Sequence, residues 1–413
     1  MALLLAASSA NAQQLPFPAA AVQDSAALER AMPALARAVL ARDGSEDPDA
    51  RLNQRFRLQM VAREHIGALA SLWELRALRS VRDPIYAPAE YTQYEIYART
   101  RLRAGSDGHF ADAFPAVFRE VYSGLDDRVA FRVDGSFDFF LERARDDLRS
   151  ALERQEGRDS ISLADAAELC RRFFAHETYR RMLPLTPAAL RAERARRYHV
   201  NEEVRVRTRD GAEVAAILVR PRRPDAPAPA ILAFTIYADE RNLARAMEAA
   251  AHGYVGVVAN TRGKRIGPGP VVPYDHDGDD AWDVIDWISR QPWSDGRVGM
   301  RGGSYEGFVQ WSAARRMHPA LRTIVPAVAI APGIDSPMEN GVFHGFQFPW
   351  IPYVSNTPLL DEATYGDRAR WEGLESRWFA SGGAYRALDS LDGGRSPIFQ
   401  RWIDHPTYDS YWS

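Results

Sequence analysis

The stretch VGMRGGSYEG, residues 298–307, decides the fold of this chain. An apolar strand, Val298–Arg301, leads through two glycines and a serine into an amphipathic helix, Tyr305–Met317. This order predicts a tight strand-to-helix turn that leaves the Ser304 hydroxyl exposed above a sheet. The following helix N-terminus favours developing negative charge, so we expect Ser304 to be a nucleophile and the Tyr305 N–H an oxyanion donor. A Gly-Ser turn without chemistry is the alternative, because the last glycine of G-x-S-x-G is shifted to Gly307.

The segments around this turn alternate between strands and helices. The predicted strands and helices are Val214–Val219, Ala230–Thr235 and Val255–Asn260, with Asn242–His252 and Asp277–Gln291. Such alternation predicts βαβ units and a mostly parallel sheet. We therefore expect an α/β core over residues 200–331. The alternation stops near Pro332, and residues 332–413, rich in aromatics, Gly and Pro, are expected to form a cap insertion.

Residues 24–197 have the apolar periodicity of helices. Ala27, Ala31, Leu35 and Val39 recur at three-to-four spacing, which predicts an all-helical N-terminal domain. Three tyrosines at spacing three share one helix face, which is more typical of packing than of a binding platform; they are Tyr91, Tyr94 and Tyr97. The histidines here show no ligand-like spacing, so we expect no metal site; they are His65, His109 and His176.

The N-terminus reads MALLLAASSANA over residues 1–12. A short apolar run followed by Ala10-Asn11-Ala12 fits the A-x-A pattern of a signal peptide and predicts a periplasmic or secreted protein. No basic residue precedes the run, so a cytoplasmic location is the alternative. No segment approaches the ~18 uninterrupted apolar residues of a membrane span.

The composition excludes several classes of function. Of 413 residues, 46% are apolar and 26% charged, which is typical of a soluble globular protein of two or three domains. The net charge of −3 gives no electrostatic reason to expect binding to nucleic acid or to anionic lipid. Cys170 is the only cysteine, so an intrachain disulfide is excluded. We expect no cofactor, and GKRIGPG, residues 263–269, lacks the ending of a phosphate loop.

A longer run, GGSYEGFVQW over residues 302–311, resembles the nucleophile region of the cocaine-esterase-like (CocE/NonD) and X-prolyl dipeptidyl-peptidase family of α/β-hydrolases, which includes α-amino-acid ester hydrolases. Further segments from about Val204 to Ser413 share this resemblance, and the helical region does not. They are RDG at 209–211, NTRG at 260–263, QPWSDGRVGM at 291–300 and HPAL at 318–321. The resemblance implies an α/β-hydrolase fold with a helical cap insertion. It also implies that Ser304 is acylated and that the Tyr237 hydroxyl is the second oxyanion donor; a tyrosine capping a strand end is the alternative. Arg262 and Gly263 are expected to shape the site.

The reaction implied is hydrolysis of an ester or amide through an acyl-serine. The substrate would be a small molecule or peptide, including an X-Pro dipeptidyl compound or an α-amino-acid ester. In the cap segment we expect Glu339, Phe343 and His344 to line the substrate pocket, with packing as the alternative for the aromatic residues. The position at which the family carries an acid holds Asn340 or Gly341, which disfavours the α-amino-acid ester.

The resemblance places the triad acid and histidine after the cap, and we find no Asp–His pair in that setting. His318 is expected to point away, and Asp404-His405 is expected to belong to the cap. We therefore expect a C-terminally truncated chain that is nearly inactive alone. The alternatives are a non-catalytic binding or scaffold protein with a degenerate hydrolase fold, or a substitute relay of His344 with Asp335 or Glu339. A homo-oligomer is left open.

Overall fold

The computed structural model describes residues 14–42, 44–105, 108–222 and 226–413. They form two compact units, and the boundary falls between Arg194 and Ala195. The expected signal peptide, residues 1–12, lies outside the described residues, so export stays a prediction. Within these ranges, no helix combines the length and apolar character needed to cross a membrane.

The first unit is helical. Its helices in the described ranges are α1 (Ser25–Leu40), α2 (Pro48–Val61), α3 (His65–Ser80), α4 (Thr92–Ala104), α5 (Phe110–Ser123), α6 (Asp127–Asp134), α7 (Leu141–Glu153), α8 (Leu163–Met182) and α9 (Thr186–Arg197), which crosses the boundary. Asp24, Asp47 and Asp126 accept backbone N–H groups at the starts of α1, α2 and α6, which satisfies donors that have no partner within the helix. One departure from the helical prediction is an antiparallel ribbon of β1 (Gln14–Pro16) and β2 (Ser160–Ser162).

The three tyrosines of α4 and its start belong to the core of this unit. Tyr94 packs on Phe174, with ring centroids 4.6 Å apart, and Tyr91 stacks on Tyr94. Tyr94 and Tyr97 are buried. Packing is thus the role that the structure gives this face.

The second unit is built on a six-stranded sheet in the order β3-β4-β6-β5-β7-β8. Its strands are β3 (Tyr198–Arg207), β4 (Glu213–Pro221), β5 (Ala228–Thr235), β6 (Val255–Asn260), β7 (Ser294–Gly303) and β8 (Leu321–Ala327). The pairs β5–β6, β5–β7 and β7–β8 are parallel, and the pairs that β4 makes with β3 and β6 are antiparallel. All six residues of β6 are buried, as expected for a central strand of a sheet that is covered on both faces.

Three helices pack on this sheet, and the helices and strands of the cap region follow it in the chain. The three are α10 (Arg241–Ala251), α11 (Asp277–Ser289) and α12 (Tyr305–Ala314). The cap region contains β9 (Met338–Glu339), β10 (Val342–Phe343), α13 (Gln347–Ser355), α14 (Glu362–Tyr365), α15 (Arg368–Ser381), α16 (Leu388–Leu391) and α17 (Pro397–Asp404). The sheet, the helices α11 and α12 and the cap share one apolar core.

Candidate active site

Ser304 is the single residue between β7 and α12. Its φ of 56° and ψ of −120° lie outside the regions that L-residues favour, a conformation that costs on the order of 1–3 kcal/mol. Its N–H donates to the Ala327 carbonyl at 2.9 Å, and its own carbonyl accepts from Gly307 at 2.9 Å and Phe308 at 3.1 Å. These bonds hold the turn, and the residue is exposed.

Two glycines let this turn close. A Cβ on Gly302, whose φ is +151°, would lie 2.1 Å from Oε2 of Glu306. A Cβ on Gly307 would lie 2.7 Å from the Ala329 side chain. The shifted glycine of the motif therefore has its own packing reason, which is the approach of α12 to the segment after β8.

The carboxyl ends of three parallel strands meet at this point. Residues that follow β5, β6 and β7 are Tyr237, Thr261 and Ser304. The Thr261 N–H donates to the Thr235 carbonyl at 3.1 Å, which ties the first two loops together. Ligand sites of open α/β sheets lie at such strand ends.

Tyr237 stands beside Ser304. Its main chain is fixed by its N–H, which donates to Thr235 Oγ1 at 3.0 Å, and by its carbonyl, which accepts from Asn242 Nδ2 at 3.1 Å. Its hydroxyl oxygen accepts from the Trp350 indole N–H at 3.3 Å. Burial raises the pKa of Tyr237, and hydrogen-bonding contacts with Trp350 and Ser304 oppose that rise. The hydroxyl is therefore protonated at neutral pH and available as a donor.

The side chain of Tyr305 lies on the buried side of the turn. Its hydroxyl donates to Asp277 Oδ2 at 2.6 Å and accepts from the Tyr274 N–H at 2.9 Å. Thr261 Oγ1 donates to the other oxygen of Asp277. Burial raises the pKa of Asp277 to about 6 and, together with Asp277, raises the pKa of Tyr305 well above its usual range.

Ion pairs fix the acidic residues around the turn. Both oxygens of Glu306 accept from Arg245 of α10 at 2.5 Å, so the carboxylate nearest to Ser304 in sequence is paired. Arg262 donates to both oxygens of Asp280 at 2.6 Å and also pairs with Asp210. These ion pairs give Arg262 a structural role, and its expected part in shaping the site stays a prediction. No cluster of three or more His, Cys, Asp or Glu side chains suited to a metal occurs in the described ranges.

The cap residues expected to line a pocket lie on a small hairpin. Glu339 is exposed and pairs with Val342 across β9 and β10. The Phe343 ring packs against Phe399 and Tyr385, with centroids 5.3 and 5.4 Å away. His344 is partly buried. Packing therefore accounts for the Phe343 ring, and a substrate contact of these three residues stays a prediction.

Three histidines follow Ser304, and each is engaged elsewhere. His318 Nδ1 accepts from the Ala320 N–H at 3.0 Å, and Nε2 of His344 lies 3.1 Å from the main-chain oxygen of Asp335. The Asp335 carboxylate accepts from the Ala331 N–H at 2.7 Å, so it is the main chain of Asp335 that meets His344. This contact does not form the carboxylate–imidazole pair of the substitute relay.

His405 forms an acid–imidazole pair that sequence reasoning missed. Its Nδ1 lies 2.6 Å from Asp409 Oδ2, whereas the neighbouring Asp404 pairs with Arg386. The spacing of four residues between His405 and Asp409 was the sequence signal that could have indicated this pair. Asp277 and Trp350 were also missed, because their partners Tyr305 and Tyr237 lie 28 and 113 residues away.

Comparisons with known proteins find esterases and peptidases among the relatives of this chain. Residues 210–413 match the X-Pro dipeptidyl-peptidase family, S15. Cocaine esterase from Rhodococcus sp. is 38% identical over 140 residues, which are 32% of this chain and 24% of that protein. A putative serine esterase of Mycobacterium bovis is 35% identical over 97 residues, 23% of this chain and 15% of its own length. The chain thus matches about a quarter or less of these relatives.

Two solved structures are similar to part of the chain at low overall similarity. An α-amino acid ester hydrolase is 25% identical with a TM-score of 0.39, covering 52% of this chain and 39% of that one. A CocE/NonD family hydrolase from Staphylococcus aureus is 19% identical with a TM-score of 0.39, covering 52% and 38%. The second unit therefore has the fold of an α/β-hydrolase, and its residues 210–413 are similar to the X-Pro dipeptidyl-peptidase (S15) family.

Proposed function

We propose that the protein is a serine hydrolase that cleaves an ester or amide bond through an acyl-serine intermediate. One observation carries the proposal. Ser304 is exposed in a left-handed conformation between β7 and α12, and Tyr237 follows β5, the strand that pairs with β7 in the sheet. The family match of residues 210–413 supports the same reaction class.

In this proposal the Ser304 oxygen attacks the acyl carbon and loses its proton to a base. The oxyanion that forms is bound by the N–H of Tyr305 and the O–H of Tyr237, two donors aimed at charge that develops in the transition state. Collapse of the tetrahedral intermediate breaks the bond to the alcohol or amine, which leaves with a proton. Water then attacks the acyl-serine and releases the acid.

The base is not assigned to a described residue. In the part of the chain that the structure describes, no hydrogen bond joins a histidine to Ser304, and His318, His344 and His405 bond elsewhere. The tests of this proposal use the full-length protein.

We infer the substrate class from the names of the relatives. Esters and X-Pro peptide derivatives are both consistent with the family match. The proposed pocket wall is the β9–β10 hairpin with Glu339, Phe343 and His344. Hydrolysis rates for p-nitrophenyl acetate, an α-amino-acid p-nitrophenyl ester and Ala-Pro-p-nitroanilide would rank the three classes.

A fluorophosphonate probe tests the nucleophile. The probe phosphonylates an activated serine hydroxyl with loss of fluoride. We expect one modified site, Ser304, by peptide mass spectrometry, and no labelling in Ser304→Ala. Ser312→Ala, which changes a serine within α12, is the matched control and is expected to label normally. Unchanged labelling of Ser304→Ala would reject the assignment, and a wild-type protein that is never labelled would favour the non-catalytic scaffold.

A further inference from the structure

A buried carboxylate lies directly behind the turn that carries Ser304. Asp277, the first residue of α11, is 1% exposed. It receives hydrogen bonds from the hydroxyls of Tyr305 and Thr261. Three segments therefore converge on one side chain: the loop after β6, the start of α11 and the first residue of α12.

Tyr305 has little freedom to move. Its ring is fully buried, stacks on Tyr274 at 5.1 Å between centroids and meets Phe308 edge-on at 5.6 Å. Its hydroxyl, at the far end of the ring, is fixed by Asp277 and by the Tyr274 N–H. A residue held at both its main chain and its hydroxyl keeps its peptide N–H in a defined direction, as an oxyanion donor requires.

Packing alone does not account for an acid at this position. A buried carboxylate lowers stability unless a cation compensates it. No ion pair joins Asp277 to an arginine or lysine of the described ranges, and the nearby Arg262 is bound to Asp280 and Asp210. What Asp277 supplies is two acceptor oxygens for two hydroxyl donors, both on segments that line the site.

We propose that Asp277 is a positioning residue, which acts through Tyr305 to fix the N–H that receives the oxyanion when Ser304 is acylated. The inference rests on the proposed function and deepens it. Asp277 exchanges no proton with the substrate and touches no reacting atom in this scheme. Asp277 acts on the geometry of the oxyanion donor. Its loss should therefore lower the rate of acylation more than the affinity for substrate.

The test compares three variants of the complete protein. Tyr305→Phe removes the hydroxyl and keeps the ring and the N–H, and Asp277→Asn keeps the shape and removes the charge. Tyr122→Phe is the matched control, because the Tyr122 hydroxyl is also buried and donates to an aspartate, Asp134, at 3.0 Å in the helical unit. The readouts are kcat and KM for p-nitrophenyl acetate, the phosphonylation rate at saturating fluorophosphonate, and Tm.

We expect kcat and the phosphonylation rate of Tyr305→Phe to fall about 10- to 100-fold with KM within about twofold, because a displacement of about 1 Å is enough for an oxyanion donor to lose much of its effect. Asp277→Asn is expected to lower the same rates less, about three- to tenfold, because its amide oxygen still accepts one hydrogen bond. Tyr122→Phe is expected to change Tm only.

Two failures are distinguishable. If wild-type Ser304 is labelled and both site variants react at the wild-type rate, the positioning role is wrong and the proposed function stands. If wild-type Ser304 is never labelled, the proposed function itself fails. Should Tyr305→Phe not fold, Asp277→Asn decides alone: an unchanged kcat overturns the proposal, and a lower kcat with unchanged KM supports it.

Discussion

The indole N–H of Trp350 lies 3.3 Å from the hydroxyl oxygen of Tyr237, a contact between the cap and the loop after β5. Indole is a donor only, so the Tyr237 oxygen accepts this bond and its own proton points elsewhere. Burial raises the pKa of that hydroxyl, and the Ser304 side chain lowers it against that rise. The cap helix α13 thus orients the donor proposed for the oxyanion, in addition to covering the strand ends.

Replacing Trp350 by Phe tests this orientation. The change removes the indole N–H and keeps an aromatic ring among Tyr274, Tyr305 and Trp402. One neutral hydrogen bond contributes about 0.5–1.5 kcal/mol, so we expect kcat for ester hydrolysis to fall about two- to tenfold. Trp371→Phe is the control, since it also loses an indole donor in the cap, to the Thr364 carbonyl at 2.9 Å. Equal kcat values for the two variants would contradict the orienting role.

Replacing Tyr237 by Phe removes the proposed donor itself. Loss of one oxyanion donor typically lowers kcat by about 10²–10³-fold, and we expect a reduction in that range with a small change in KM. Tyr353→Phe is the matched control, because it also removes a tyrosine hydroxyl, one that belongs to the cap helix α13 and donates to Glu362 at 3.0 Å. A fully active Tyr237→Phe enzyme would return Tyr237 to the alternative role of capping a strand end.

Much of the sheet was predictable because its signals are local. Six consecutive residues with buried side chains define β6, and the predicted range Val255–Asn260 is the observed one. The strand before Ser304 was predicted over Val298–Arg301, but β7 runs from Ser294 to Gly303. Its added residues include three glycines and a serine, which have low strand propensity and are held in the sheet by pairing with neighbours. β8 was not singled out, because residues 321–327 include a proline and are mostly exposed.

The site was less predictable because its contacts are not local. A strand, two glycines and a serine indicate the turn at Ser304 from ten adjacent residues. The Tyr305–Asp277 and Tyr237–Trp350 contacts join residues 28 and 113 positions apart, and no periodicity encodes such a pair. Of these, Tyr237 was reached only through the family resemblance, and Asp277 looked like one of several acids at the start of a helix.

The pH dependence of stability is expected to reveal the buried Asp277. Burial raises its pKa from 3.8 to about 6. Between these values the folded protein binds more protons than the unfolded chain, so the free energy of unfolding falls as pH rises through this window. A shift of this size corresponds to a loss on the order of 3 kcal/mol by pH 7.

Asp277→Asn should therefore show a flatter curve of unfolding free energy against pH from 4 to 7. The neighbouring Asp280, Arg262, Tyr274 and Tyr305 are present in both proteins, so their contributions largely cancel in the difference. Urea unfolding followed by tryptophan fluorescence reports the second unit, because nine of the ten tryptophans lie after residue 195. Parallel curves for the two proteins would mean that Asp277 does not titrate in this range.

The only lysine of the chain links the loop after β6 to the cap. Lys264 is fully buried, and its Nζ donates to the carbonyls of Val354, Thr357 and Leu359 at 2.8–2.9 Å. Lys264→Met keeps the length of the side chain and leaves three carbonyls without their donor. Each such loss costs about 1–3 kcal/mol. Because water can partly hydrate the freed carbonyls, we expect the free energy of unfolding of the second unit to fall by about 3–5 kcal/mol. An unchanged tryptophan-detected transition would contradict this.

Gly302 is expected to be the least replaceable residue of the Ser304 turn. A methyl group at this position would overlap the Glu306 side chain, at 2.1 Å from Oε2 and 2.5 Å from Cβ, and Glu306 is itself held by Arg245. Gly302→Ala must therefore displace the first turn of α12, and the φ of +151° adds strain.

We expect Gly302→Ala to lower the rate of Ser304 phosphonylation at least 100-fold, since a shift of about 1 Å in the donor geometry is enough for such a loss. Gly394→Ala is the control, because a Cβ there meets no atom within 4 Å. The measurement is the phosphonylation rate at a temperature where both variants are folded by circular dichroism. A folded Gly302→Ala protein that reacts like wild type would show that Ser304 does not depend on this turn for its reactivity, and the nucleophile assignment would lose its structural basis.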